Sequence, residues 1–198
     1  MPDIWFGSDH HFGHQRIIEL CNRPFDSVEE MDEKMIQWHN EIVKPDDIFI
    51  HVGDLALGSF ENSMKKAERL NGRKILVPGN HDRVWSKESE KRQLRFRGFY
   101  EAAGFEIWPE QFVLAFKNGR ADLTPGNDML AFSHLPSEGD SHGDDRYKDM
   151  RPVTDVPIVC DHVHDEWATK GRNFNVGVDV RNFRPVHLEE VLEWTRTL

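Results

Sequence analysis

The 198-residue sequence has little cysteine: Cys21 and Cys160 only. Two cysteines make no disulfide framework, so a reducing compartment, the cytoplasm, is expected. No apolar run approaches the roughly 20 residues of a membrane span. The opening MPDIWFGSD lacks a basic stretch leading into an apolar one, so no signal peptide is expected. Positive charge is also scarce, with 25 Lys and Arg against 35 Asp and Glu and a formal net charge of -10. That balance argues against a broad basic face gripping duplex DNA, because such binding rests on neutralising phosphates. A small phosphorylated substrate stays open, since bound divalent cations reverse the local field inside an acidic protein.

What is present points to a folded chain. Hydrophobic residues make up 38% and aromatic residues 11%, enough for a single domain, 1–198, with its own core. Apolar periodicity predicts strands at 4–8, 47–52 and 73–77, alternating with helices at 27–43 and 59–70. In the first helix Val28, Met31, Met35, Trp38 and Ile42 recur at three- and four-residue steps, Ser27 with Glu30 forms a capping box, and Pro45 stops the pattern. A charged helix is expected over 86–97. Beyond Phe105 strands dominate, at 112–116, 129–133, 156–160 and 174–180. A turn-rich stretch at 118–127, a polar, mobile loop at 139–150 and a closing helix at 188–195 complete the reading.

Eleven histidines are the unusual feature, because several stand beside Asp, Asn and Gly where an expected strand ends. In open α/β sheets, sites form beyond the carboxyl ends of strands. Asp9 and His11 are two apart, and in extended chain such a pair faces one way. Carboxylate plus imidazole suits Mn, Fe or Zn rather than Ca. Gly53 allows the sharp turn that projects Asp54. In Gly79-Asn80-His81-Asp82, Asn80 offers a neutral oxygen, His81 a proton donor, and Asp82 an acceptor that orients His81. Ser133-His134 ends another strand, and His162 and His164 form a second alternating pair. Each motif alone reads equally well as an ordinary strand-end turn with solvated or hydrogen-bonded side chains.

Their order discriminates. Asp-x-His, Gly-Asp, Gly-Asn-His-Asp, a strand-end His and His-x-His, in that succession over nearly the whole chain, resemble the calcineurin-like metallophosphoesterase superfamily. Ser8-Asp9-His10-His11-Phe12-Gly13-His14, with Asn175-Val176-Gly177-Val178-Asp179 and Arg184-Pro185-Val186, is similar to its small phage-type branch, which implies a phage or phage-derived origin. The resemblance implies an α/β fold, a four-layer α-β-β-α sandwich of two mixed sheets. It also implies two divalent metal ions, Mn2+ ahead of Fe, Zn, Co or Ni. Asp9, His11 and His164 would hold the first, Asn80, His134 and His162 the second, and Asp54 would bridge them. In such a centre a metal-bridging hydroxide attacks the phosphoester in line, and His81 is the catalytic acid, oriented by Asp82. One position departs from the family: Asp161 stands where Gly usually precedes the His-x-His pair. Either the turn tolerates Asp, which visits left-handed backbone more readily than most residues, or Asp161 is an acceptor behind a ligating histidine.

Around this set, His14 is a candidate substrate contact or simply a helix-start residue. Arg16 and Arg23 are phosphate contacts or solvated side chains, Trp167 is core or a platform for a nucleobase, and His39 and His51 are structural. The implied function is hydrolysis of phosphodiester bonds in small nucleotide-like substrates, 2′,3′-cyclic nucleotides among them. Phosphomonoesterase and nuclease are the alternatives, and a metal-binding interaction scaffold is the non-enzymatic one. The expected setting is cytoplasmic, a host's cytoplasm if phage-encoded, with neither stable duplex DNA nor a membrane as partner.

Overall fold

The computed structural model describes residues 2–117, 120–121, 128–140 and 145–198. Strand and helix alternate at first: β1 (Ile4–Gly7), the one-turn helix α1 (Ile17–Leu20), α2 (Val28–Ile42), β2 (Ile48–His51), α3 (Phe60–Glu68), β3 (Arg73–Leu76), α4 (Glu90–Ala102) and β4 (Phe105–Ile107). Strands then follow: β5 (Gln111–Lys117), β6 (Arg120–Ala121), β7 (Asp128–Ser133), β8 (Ile158–Cys160), β9 (Thr169–Lys170), β10 (Asn173–Asn175) and β11 (Val186–His187). Helix α5 (Leu188–Thr195) closes the chain. Among the described residues, no helix is long and apolar enough to cross a membrane.

The strands form two mixed sheets, as expected. One runs β11-β1-β2-β3-β4, the other β6-β5-β7-β8-β10-β9. In the first, β1 to β4 are parallel and β11 is an antiparallel edge; in the second, β7, β8 and β10 are parallel. Side chains alternate across a strand. Ile4, Phe6, Ile50 and Ile75 of the first sheet therefore face Phe116, Leu130, Phe132, Val159 and Phe174 of the second. Phe49 and Leu76 point the other way, into a cluster with Met31, Met35, Met64 and Tyr100 of α2, α3 and α4. The two helical flanks are unequal. Leu188, Val191 and Leu192 of α5 join the cluster between the sheets, so α5 fills the seam beside β1 and β11. Ala131, Ile158 and Cys160 form a small separate cluster with Trp167 packed on it.

Local chemistry explains where boundaries moved. Ser27 Oγ accepts the Glu30 N–H at 3.1 Å, while Glu30 reaches back to the Asp26 N–H at 2.9 Å, which starts α2 where the sequence placed it. Helix α4 begins four residues later than expected. Ser89 caps it by accepting the Arg92 N–H, whereas Ser86 Oγ is bonded to Glu110 at 2.9 Å. The expected strand over 174–180 stops at Asn175, whose Oδ1 takes the Gly177 N–H at 2.6 Å. Residues Val178–Val180 then form a 3-10 turn despite their apolar alternation. Most of the turn-rich stretch at 118–127, and residues 141–144 of the polar loop, lie outside the described residues.

Parallel strands share a carboxyl end. The chain therefore leaves β1, β2 and β3 on one edge of the first sheet, and β7 and β8 in parallel on the second. A bridge between Ser8 and Gly177 ties the two edges together.

Candidate metal centre

The loops at this edge are laced to one another through backbone bonds. Asp9 N–H donates to Gly53 O at 3.1 Å and His11 N–H to Asp54 O at 3.2 Å, joining the β1 and β2 loops. Asp161 N–H donates to His134 O at 3.1 Å, joining those after β7 and β8. The β2 and β3 loops touch at their glycines: a Cβ on Gly53 would lie 2.7 Å from Gly79 Cα and 2.6 Å from His134 Nδ1. Only glycine allows that approach, which supports the turn read from Gly53-Asp54.

Backbone strain concentrates here. Asp9, His11, Asp54, His162 and His164 have φ of 53°, 50°, 56°, 72° and 50°, five of the eight left-handed non-glycine residues among those described. Asp and His tolerate this region better than most, yet each such residue costs about 1–2 kcal/mol. The lacing bonds hold these residues in place.

The expected ligands converge. His11 Nε2 lies 2.9 Å from Asp9 Oδ1 and 3.8 Å from Asp54 Oδ2, and His164 Nε2 lies 3.5 Å from Asp9 Oδ1. His134 Nε2 lies 3.5 Å from Asp54 Oδ2 and 3.1 Å from Asn80 Oδ1. Ligand atoms of Asp9, His11 and His164 fall within 4.8 Å of one another, as do those of Asp9, Asp54 and His134. His162 stands edge-on to His134, ring centroids 5.3 Å apart. His134 Nδ1 is engaged with Val52 O at 2.9 Å, which leaves Nε2 for a metal. Ser8 Oγ donates to Asp9 Oδ2 at 2.8 Å and is a positioning residue that the sequence reading passed over.

Electrostatics test whether cations fit. Asp9 and Asp54 are both buried. Burial opposes charge on His134, but Asp54 and then Asp9 outweigh it and lift its pKa to about 9. His164 is likewise raised, burial being overcome by Asp9 and Asp179. The two buried carboxylates thus draw protons onto His134 and His164, whereas burial prevails at His11 and His162 and lowers the pKa of both. A divalent ion meets the same demand for positive charge, and the oxygen and nitrogen donors suit Mn, Fe, Zn, Co or Ni. The residues fit the metals that the motifs imply.

Behind His164 stands an arrangement the sequence reading missed. Its Nδ1 meets Asp179 Oδ2 at 3.1 Å. Asp179 is gripped by Arg23, Nε to Oδ1 at 2.7 Å and Nη2 to Oδ2 at 2.8 Å. Arg23 also donates to the Asp9 and His10 carbonyls at 2.7 and 3.1 Å. It is buried, neither solvated nor turned toward substrate. The Asn175-to-Asp179 motif contained the signal, but nothing in it named Arg23, 156 residues away, as partner.

Other expectations change. Asp82 does not orient His81: its carboxylate accepts from Asp54, Leu55 and Gly79 N–H and from the Tyr100 hydroxyl. Those four bonds, at 2.8 to 3.3 Å, make it the clamp between the β2 and β3 loops. Asp54 fixes His81 instead, its Oδ1 accepting the His81 N–H at 2.8 Å. The His81 ring is 47% exposed, with Nε2 4.0 Å from Asp54 Oδ2. Asp161 is not left-handed; His162 and His164 are. Its Oδ1 accepts the His164 backbone N–H at 3.1 Å, not a ring nitrogen, so the turn accommodates Asp161 without a left-handed backbone at that residue. Its other oxygen packs on Gly177, where a Cβ would collide with it. Trp167 sits on the small cluster around Ile158, away from the cavity. His14 does line the cavity, its ring 5.5 Å from His11, and burial followed by His11 and His81 pushes its pKa down to about 4.

This donor set at the strand ends of a two-sheet α/β sandwich is a candidate divalent-metal centre. A family model described as Calcineurin-like phosphoesterase matches residues 2–191. The chain belongs to the calcineurin-like phosphoesterase family, a class of metal-dependent phosphoester hydrolases. It is 31% identical over 199 residues to an uncharacterized protein of Methanocaldococcus jannaschii, covering 98% of this chain and 91% of that one. To the Gene 66 protein of Mycobacterium phage L5 it is 28% identical over 187 residues, covering 90% and 87%. A protein of unknown function from Aquifex aeolicus has a crystal structure that superposes with TM-score 0.67 at 22% identity, covering 98% and 100%, a likeness of fold.

Proposed function

We propose that the chain hydrolyses small phosphodiesters at a two-metal centre held by Asp9, His11, Asp54, Asn80, His134, His162 and His164. The observation that carries this reading is the cavity over the centre, of about 400 Å3. His11, Asp54, Asn80, His81, His162 and His164 line it. The apolar side chains of Ile17, Leu20, Leu57 and Val163 and the cations of Arg16 and Arg146 also line it. A phosphate beside the expected metal ligands and an organic group such as a nucleoside against these apolar side chains describe a small phosphoester, and the comparison of diester with monoester below decides the bond type. When bound, the two metals supply Lewis acidity and an activated water.

The chain's own residues do the rest. Asp54 anchors the His81 loop, and the exposed His81 ring faces the cavity, where it protonates the leaving oxygen. His14, held neutral, offers a hydrogen bond to a phosphoryl oxygen. Arg16 and Arg146 attract the anion in a protein of net charge -10. The test is hydrolysis of bis(p-nitrophenyl) phosphate and of p-nitrophenyl phosphate with Mn2+, Co2+ or Ni2+. Faster diester turnover is expected. A preference for the monoester overturns the diesterase reading, and no turnover with any metal favours a binding scaffold.

A further inference from the structure

His162 is one of the seven expected ligands. The residue lines the cavity, yet Nε2 is buried and makes no hydrogen bond of ordinary geometry. What Nε2 faces is Asp140, whose Oδ1 lies 3.4 Å away. The Asp140 side chain is only 5% exposed. A buried carboxylate must be paired, and Arg151 pairs it, with Nη2 3.3 Å from Asp140 Oδ2. Arg151 is 7% exposed and also donates to Pro136 O at 2.8 Å. The same polar segment sends Tyr147 edge-on to the His162 ring, centroids 5.6 Å apart, and Tyr147 packs in turn on Trp85 at 5.2 Å. A segment without any recognisable motif therefore holds one of the expected ligands from behind.

We infer that Asp140 is a positioning residue for the metal centre: its Oδ1 accepts a hydrogen bond from the Nε2–H of His162 and so leaves Nδ1 bare for the second metal. The physical reason lies in imidazole chemistry. A neutral ring carries one N–H and one lone pair, and the acceptor behind the N–H decides which nitrogen is bare. A cation on Nδ1 makes the Nε2 proton a stronger donor, which draws in the 3.4 Å contact. Arg151, 3.3 Å from Asp140 Oδ2, keeps the carboxylate aimed. The inference rests on the two-metal reading and adds to it the residue that orients the His162 ring.

The experiment measures Mn2+ binding, not activity. Calorimetric titration of the metal-free full chain is expected to give two Mn2+ in the wild type. Asp140→Ala is expected to weaken the second Mn2+ by about 10–100-fold and to leave the first unchanged. Asp140→Asn, whose amide oxygen still accepts from Nε2, is expected to lose only a few-fold. Equal severity in the two variants would make Asp140 a direct ligand and overturn the assignment. So would no effect in either, or an equal loss at both metals. A second measurement needs no variant: 15N imidazole NMR of the Zn2+-loaded wild type is expected to show His162 protonated at Nε2 and metallated at Nδ1, and the reverse would overturn it. A wild type that binds fewer than two Mn2+ overturns the two-metal reading beneath, which separates that failure from this one.

Discussion

The two histidines of the final motif are two residues apart and are backed in different ways. His164 leans on Asp179, which Arg23 grips with two bonds of 2.7 and 2.8 Å, and Arg23 itself is buried against the carbonyls of Asp9 and His10. His162 leans on Asp140 at 3.4 Å, which Arg151 holds at 3.3 Å while also pairing with the half-exposed Asp145. One arrangement is tied into the core beside β1, the other into a polar segment between β7 and β8. The difference teaches that one half of the centre is fixed by the fold and the other is fitted by a loop. The first half is therefore expected to share the stability of the whole protein, and the second to be tunable without unfolding it.

Stability offers the hardest way to break this comparison. Arg23→Met strands Asp179 without its cation and two carbonyls without donors, and is expected to cost about 3–5 kcal/mol. Arg151→Met also strands a buried carboxylate, Asp140, but the half-exposed Asp145 takes up water, so the cost is expected to be smaller, about 1–3 kcal/mol. Thermal unfolding in EDTA checks both, and equal losses would erase the distinction.

A residue outside both arrangements sharpens it. His81→Ala is expected to lower turnover by about 10²–10⁴-fold with both metals retained. The loss should shrink for esters with good leaving groups, which need little protonation. An equal loss for good and poor leaving groups would contradict the acid role. Asp179→Ala is expected to weaken the first metal by about 10–100-fold and spare the second, the mirror image of the Asp140→Ala effect. Titration with Mn2+ decides this, and weakening of the second metal alone would reverse the assignment.

The smallest effect is a pH dependence common to both halves. In metal-free protein the folded pKa of His134, about 9, lies above the unfolded value of about 6.5. The stability it contributes is fully present below about pH 6.5 and lost as pH rises through about 9. Mn2+ must displace that proton, so its affinity should rise over the same range. Melting temperature in EDTA and Mn2+ affinity, each followed against pH, should move in opposite directions; a flat profile in both would contradict the coupling.

The ligands were legible because each follows an apolar run that becomes a parallel strand: Asp9 after β1, Asp54 after β2, Asn80 after β3, His134 after β7 and His162 after β8. Supporting residues were not legible, because their partners are set by packing. Arg23 reads as a surface charge until Asp179 is brought to it. Asp140 lies in a polar stretch with no pattern, and Asp82 shows its role only once the Asp54 and Gly79 amides turn toward it. The same limit shows in the fold, where Asn175 ends a strand that apolar alternation would carry on to Val180.

A two-metal centre bridged by Asp54 is what we propose. Equilibrium dialysis of metal-free chain against Mn2+ tests it most directly, for the wild type and for Asp54→Asn. Two Mn2+ per wild-type chain, and one or none in Asp54→Asn, is the predicted result; a single Mn2+ in the wild type, or two retained in Asp54→Asn, would contradict it.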